Sequence, residues 1–527
     1  MWPDASSAGM RASTDAANPG VNWSYMPHHT RREFLGQAVA GTAVLPQPPA
    51  LDRRPNILFL MTDQMQARVL DPSHPCHTPN LDRLASRGVR FTHAYTPNPV
   101  CSPARASLMT GLLPHSHGVV QVTHCTADDQ AVLRTGKRHW AQELAAAGYR
   151  TGYFGKWHIE RTNELGRFGW QVNGETTQPL WKREAARLEA NQAAEEPLLR
   201  KTLGGPGYTN ALFYGAGVAR PHATLEVAPR LAASFLDTAA RENQPWCCFV
   251  SLVEPHDPYL CARRSFERYD PAKIPVPPNW NDGLEGRPGL YRKAARAFAH
   301  LTEREKQEAA ACYYASITEV DEQFGRLLDR LERAGQLENT IVVMTADHGE
   351  FLGAHGLYMK NVSGYEEAHN IPMVVAGPGI ARGAVSHARA GLHDLAPTLL
   401  ELAGLKPIGS PDSRSFAPVL RNPAAESAKY LTGYAENYGT RYWFTQRVIW
   451  EGPWKYVWNG FDFDEMYNLE ADPYEMRNLA AGAAHRGQAR HMMELAWRIV
   501  RATGDAPLLG ADYPVLRLAE CGPGAAR

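Results

Sequence analysis

Apolar and polar positions follow two habits along this chain. An unbroken apolar run occurs at 57–61 (Ile57, Leu58, Phe59, Leu60, Met61), and mostly apolar runs occur at 246–253 and 340–345. A strand that is apolar on both faces is covered on both faces, so these runs predict buried parallel strands. Each run ends in polar residues: Thr62 and Asp63, then Glu254, Pro255 and His256, then Asp347 and His348. In open α/β sheets, ligand sites gather beyond the carboxyl ends of such strands. Apolar residues spaced by three and four predict helices over 139–147, closed by Gly148, and over 309–334, closed by Gly335. The alternation predicts an α/β fold: a large, mostly parallel sheet sandwiched by helices.

Two segments break this plan: 178–200, rich in Ala, Glu and Arg, and the Pro-rich 270–288. Both are expected as insertions beside the site. After Gly404 the text shortens into Trp- and Tyr-rich runs over 442–450 and 454–458, which predict a small antiparallel sheet, and a terminal helix is expected over 488–503. The expected organisation is a disordered leader over 1–50, a catalytic domain over 54–405 and a smaller C-terminal α+β domain over 406–527.

Within the leader, Thr30, Arg31, Arg32, Glu33, Phe34, Leu35 and Gly36 precede a small, weakly apolar stretch. They resemble a twin-arginine export signal, which implies a periplasmic or secreted protein; the alternative is a charged turn before a short helix in a cytoplasmic one. No stretch is apolar for long enough to span a bilayer.

Lys plus Arg and Asp plus Glu balance at 55 each, so no overall field draws the chain to nucleic acid or an anionic membrane. Any anion site has to be local. The eight cysteines are scattered, form no CxxC pair, and read mainly as buried thiols rather than a disulfide framework.

One cysteine stands in a distinctive text: Cys101, Ser102, Pro103, Ala104, Arg105, Ala106, Ser107, Leu108, Met109, Thr110, Gly111. This CxPxR core with its trailing Leu-Met-Thr-Gly resembles the formylglycine signature of the type I sulfatases, within the alkaline-phosphatase-like superfamily. The resemblance extends over about 54–480. Gly155, Lys156, Trp157 and His158 resemble the GKWH segment of that family, and His256 with Asp257, Pro258 and Tyr259 its PHxPY segment. Lys360, ahead of Tyr365 and Glu366, matches a second sulfate-contacting lysine, while the 466–480 text resembles a closing structural element.

The resemblance implies a sulfuric ester hydrolase. Cys101 would be oxidised to formylglycine (3-oxoalanine) by a separate formylglycine-generating enzyme, and the hydrated aldehyde would be the nucleophile. Arg105, Lys156, His158, His256 and Lys360 would surround the sulfate. Asp63, Gln64, Asp347 and His348, with residue 101, would hold a divalent metal, Ca2+ first, with Mg2+ or Mn2+ as alternatives. Gln64 stands where many relatives have Asp, and His348 where many have Asn; the nitrogen ligand softens the site. This variant also occurs in phosphonate-hydrolase-like branches, so a phosphonate monoester or phosphodiester hydrolase is the competing activity. A catalytically silent binding protein with unconverted Cys101 is the reading from another class. The expected partner is a small sulfated molecule: a sugar, an aryl sulfate or a choline-type ester. His115, His117, Tyr442 and Trp443 are either lining for its organic part or core packing.

Overall fold

The computed structural model of the chain describes residues 54–510 apart from 127–132, 134–135, 190–195, 205–209, 219–223, 243, 361, 363 and 441. The twin-arginine-like segment and Cys521 lie outside the described residues. The described residues form one compact unit.

Its centre is an eight-stranded sheet in the order Ala384–Gly391, Gly88–Tyr95, Met373–Ala376, Thr340–Ala346, Asn56–Thr62, Trp246–Ser251, Arg150–Gly155, Val172–Glu175. Met373–Ala376 runs antiparallel to both neighbours and every other pairing is parallel. The expected fold class is therefore the observed one. Ile57 through Met61 are fully buried, as a strand covered on both faces has to be. The 31-residue helix Glu303–Arg333 starts earlier than its apolar spacing predicts. Its first turn is polar, but Thr302 and Glu305 form a reciprocal capping box that satisfies the otherwise orphaned amides there.

A second, antiparallel sheet is built from Thr432–Asn437, Gln446–Glu451, Trp454–Asn459 and Glu465–Asn468. The 442–445 stretch is not part of it, although its aromatic text predicts a strand. The sheet's two faces alternate strictly. Ile449, Tyr456, Trp458 and Met466 pack with Met492, Ala496 and Val500 of the Arg486–Thr503 helix. Val448, Trp450 and Val457 pack instead with Tyr95 at the end of a main-sheet strand. Both faces are thus buried, and the small sheet is fixed to the large one by period-two packing.

Candidate active site

Four parallel strands deliver the polar residues to one end of the sheet. Asn56–Thr62 leads to Asp63 and Gln64, Thr340–Ala346 to Asp347 and His348, Arg150–Gly155 to Lys156 and His158, and Trp246–Ser251 to His256 and Asp257. Facing them is the buried helix Cys101–Thr110, whose first residue is Cys101 and whose next turn carries Arg105.

Arg105 is 1% exposed, and its fork is largely occupied. Nε donates to Asp347 Oδ2 at 2.7 Å and Nη2 to Asp63 Oδ2 at 3.0 Å, while Nη1 donates to Ser251 Oγ at 2.8 Å and Lys156 O at 3.0 Å. Lys156 Nζ adds a second cation on Asp63 Oδ2. Burial and the Cys101 side chain push the Asp63 carboxyl up, but Lys156, His256 and Arg105 outweigh them and hold it well below the carboxylate range. Asp347 moves the other way, raised by burial and by Asp63 beside it.

The Sγ atom of Cys101 lies 3.2 Å from His348 Nε2 and 3.6 Å from Asp63 Oδ1. Burial raises the Cys101 thiol, yet Lys156, Lys360 and His348 hold it well below its ordinary value. One ligand atom from each of Asp63, Cys101, Asp347 and His348 falls within 4.8 Å of the others. His348 Nδ1 is engaged with Gly349 O at 2.9 Å, leaving Nε2 to face the cluster. Two carboxylates and an imidazole nitrogen converging in a buried space form a donor set that fits a divalent cation.

Gln64 sits at the cluster's rim with a left-handed backbone, φ 63°. Its Oε1 accepts from Lys360 Nζ at 2.6 Å; its Nε2 donates to Asp257 Oδ1 at 3.0 Å and Glu350 Oε2 at 2.5 Å. Carboxylates only accept and ammonium only donates, so the network itself fixes which end of the amide is oxygen. Lys360 also reaches His256 Nε2 at 2.5 Å, and His256 Nδ1 lies 2.6 Å from Asp257 O. His158, at φ 58°, is half-buried beside Lys156, and desolvation followed by that ammonium lowers its imidazole to about 4.

Several of these groups border a cavity of about 910 Å³, whose walls include Cys101, Lys156, His158, His256 and Lys360 together with Thr123, His124, Glu160, Arg161, Glu175 and Asp257. The structure therefore gathers Asp63, Gln64, Cys101, Arg105, Lys156, His158, His256, Asp347, His348 and Lys360 in one place. Two expectations are corrected. The 178–200 and 270–288 segments do not line the cavity among the described residues. The second of these locks elsewhere: Asn279 donates to Glu367 Oε1 at 2.9 Å, and Asp282 pairs with His355 at 2.8 Å. Cys125 is exposed at the cavity mouth rather than buried. His115, His117 and Tyr442 serve packing and pairing away from the cavity: His115 binds Glu436, His117 binds Ser107 at 2.9 Å, and Tyr442 and Trp443 border a separate groove. Sequence reasoning missed Glu350 and Asp257 as the groups orienting Gln64; their adjacency to Asp347 and His256 was the available signal.

Comparison with known proteins places these groups in a wider setting. A family profile described as sulfatase matches residues 55–405, and one described as the C-terminal part of N-sulphoglucosamine sulphohydrolase matches 353–500. A choline-sulfatase of Rhizobium meliloti is 31% identical over 475 residues, covering 85% of this chain and 86% of that protein. An N-acetylglucosamine-6-O-sulfatase of Bacteroides thetaiotaomicron is 28% identical over 498 residues, covering 84% of this chain and 86% of that one. Among solved structures, a protein in complex with its substrate D-glucosamine-2-N,6-O-disulfate superposes with a TM-score of 0.68 at 25% identity, covering 86% of this chain and 99% of the other. A phosphonate monoester hydrolase from Silicibacter pomeroyi shares the fold, with a TM-score of 0.69 at 22% identity, covering 86% and 97% of the two chains.

Proposed function

The chain belongs to the sulfatase family and hydrolyses sulfate esters, and we propose that it does so with a nucleophile made from Cys101, assisted by a divalent cation. The observation that carries this reading is the placement of Cys101 Sγ against Asp63 and His348, with Lys156 and Lys360 lowering the proton affinity of the same side chain. Converted to formylglycine and hydrated, residue 101 supplies two hydroxyls on one carbon, one to attack sulfur and one to let sulfate depart. Asp63, Gln64, Asp347 and His348 would hold the cation, Ca2+ by preference, whose chemistry is to acidify a hydroxyl and neutralise sulfate oxygens.

The chain's own residues do the rest. Arg105 keeps Asp63 and Asp347 in register beneath the helix that carries residue 101. Lys156 and Lys360 bring positive charge to where the sulfuryl group is transferred, the largest available contribution when the chemistry is a displacement at an anion. His256, with Lys360 on its Nε2, serves the departing oxygen, and His158 is the base at residue 101.

For the organic part of the substrate we propose a sulfated sugar or another small polar alcohol. The cavity walls beyond the sulfate-facing groups carry Glu160, Asn163, Glu175, Thr176 and Thr440, hydrogen-bonding residues suited to hydroxyls, beside the apolar Val122, Trp157, Val253 and Met359. The proposal includes maturation by a formylglycine-generating enzyme and export through the Arg31-Arg32 signal; a reporter fused after residue 50 that is exported only with both arginines intact would support the route.

The deciding experiment is Cys101→Ala in a host that converts such cysteines. Turnover of every sulfate ester should vanish while thermal unfolding stays near wild type, and mass spectrometry of the peptide around 101 should find the aldehyde in the parent. Wild-type turnover by the Ala variant, or a parent active with an intact thiol, removes the nucleophile assignment. Chelation should abolish activity, and added Ca2+ should restore it.

A further inference from the structure

His124 lines the cavity but has no part in the reaction so far described. It sits in the 3-10 turn Thr123–Cys125 with its ring over that of His158: the planes are 21° apart, the centroids 5.0 Å apart, and Nδ1 lies 2.8 Å from His158 Nε2. The turn is fastened from two sides. Thr123 N donates to Ser102 Oγ at 3.2 Å, next to Cys101 itself, and Arg161 donates to Thr123 O through Nε at 3.1 Å and Nη2 at 3.0 Å, with a further bond to Thr126 O. Arg161 follows His158 by three residues, so the segment that carries His158 also holds His124 in place.

The remaining nitrogen of His158, Nδ1, is buried, and the His158 imidazole is hydrogen-bonded with the Cys101 side chain. Two neutral imidazoles joined by one hydrogen bond hold a single proton between them, so their tautomers are set together. If His124 donates, His158 carries its proton on Nδ1 and offers residue 101 no lone pair. If His158 donates from Nε2, its Nδ1 lone pair is free, and His124 keeps its own proton on Nε2 at the exposed side of the turn.

We propose that His124 is a positioning residue that accepts from His158 Nε2, fixing the tautomer in which the Nδ1 lone pair of His158 serves residue 101. This rests on the reading of His158 as the base there. No atom of His124 touches the reacting centre; it acts through the hydrogen bond alone.

The test compares His124→Ala with His124→Asn, whose Oδ1 can stand where the Nδ1 acceptor stood. Activity is normalised to the aldehyde content at 101. For H124A, kcat is expected to fall about tenfold to a hundredfold, part of what a general base contributes, with KM within about twofold. H124N should recover most of the loss. A second readout needs neither cation nor converted cysteine: two-bond 1H–15N spectra of the full-length, histidine-labelled Cys101 protein, with the His158 signals assigned by their loss in His158→Asn. His158 should be the Nε2–H tautomer in wild type and H124N and a mixture in H124A. The proposal is overturned if wild type shows Nδ1–H, if H124A leaves the tautomer unchanged, if kcat is unaffected, or if H124N is no better than H124A. Failure of the underlying reading looks different: His158→Asn, scaled to its aldehyde content, would then keep the wild-type kcat whatever occupies 124.

Discussion

Arg105→Lys keeps the charge at the base of the site but removes its geometry, and the structure sets the size of the effect. Arginine makes four hydrogen bonds here, two to the carboxylates Asp63 and Asp347 and two to the neutral oxygens of Ser251 and Lys156. A lysine ammonium is a point donor on a different stem and cannot bridge partners spread around a planar fork. If it keeps one carboxylate and one neutral acceptor, the loss is one charge-assisted bond, worth about 1.5–3 kcal/mol, and one neutral bond, worth about 0.5–1.5 kcal/mol. Stability should therefore fall by about 2–4.5 kcal/mol, read as a lower urea midpoint at unchanged slope. Catalysis should fall further than stability accounts for, because Asp63 and Asp347 lose their common register; a fall in kcat of about 10²–10³ matches the loss of one preorganised donor. Since Arg105 belongs to the CxPxR text, each preparation needs its aldehyde content at 101 measured and kcat scaled to it. A Lys variant within about 0.5 kcal/mol of wild type and with normal scaled kcat would refute the claim that the fork, rather than the charge, organises the two carboxylates.

Gly155→Ala should destabilise the enzyme by more than about 2 kcal/mol and abolish activity, because φ is 109° and the new Cβ would lie 1.9 Å from Ser251 O, the carbonyl that accepts from Lys156 N; normal calorimetry of that variant would contradict the geometry. His115 supplies a pH prediction away from the cluster: burial lowers its imidazole, but the hydrogen bond and charge of Glu436 raise it from 6.5 to about 9. A raised histidine stabilises the fold fully below its unfolded value near 6.5 and loses that contribution as pH climbs through about 9. The stability gap between wild type and His115→Gln should thus shrink by up to about 3 kcal/mol between pH 6 and pH 10; a gap that is flat or widens would show the pair is not charged.

What the sequence disclosed and what it concealed divide on a physical line. Asp63, Asp347 and His256 were legible because each follows a strand apolar on both faces, and the carboxyl ends of such strands share one edge of the sheet. Cys101 and Arg105 were legible because their CxPxR text resembles the sulfatase signature; the structure adds that four residues on the Cys101–Thr110 helix bring both to one face. The orientation of Gln64 was not, since it depends on Glu350 and Asp257, which reach it from two other strand ends. His124 was hidden for the same reason: nothing in the text of the Thr123–Cys125 turn says that Arg161 will pin it over His158. The misplaced 270–288 segment shows the converse, for Pro-rich text announces irregular backbone without saying what it packs on. Its Asn279 and Asp282 are tied to Glu367 and His355.

Sulfate monoesters and phosphonate monoesters each present one negative charge, so summed electrostatics cannot choose between them. The number of acceptor oxygens can. A sulfate monoester has three terminal oxygens; a phosphonate monoester has two, with carbon in the third place. Lys156, at the end of the Arg150–Gly155 strand, and Lys360, in the loop before the Glu366–His369 helix, both face the cavity, and they bond Asp63 and Gln64, respectively, beside the Asp63, Asp347 and His348 cluster. With the proposed cation held by that cluster, three positive sources around one centre would match three acceptors, and a phosphonate would leave one of them against an alkyl or aryl group. An unsatisfied buried donor costs about 1–3 kcal/mol, so kcat/KM should favour an aryl sulfate over the aryl phosphonate with the same leaving group by about tenfold to a hundredfold. The same reasoning specifies a variant. Lys156→Ala removes the third donor, so it should lower kcat/KM for the sulfate and leave the phosphonate less affected, narrowing the ratio. If both substrates lose equally, Lys156 contributes charge alone and discrimination has to come from the leaving-group side of the cavity.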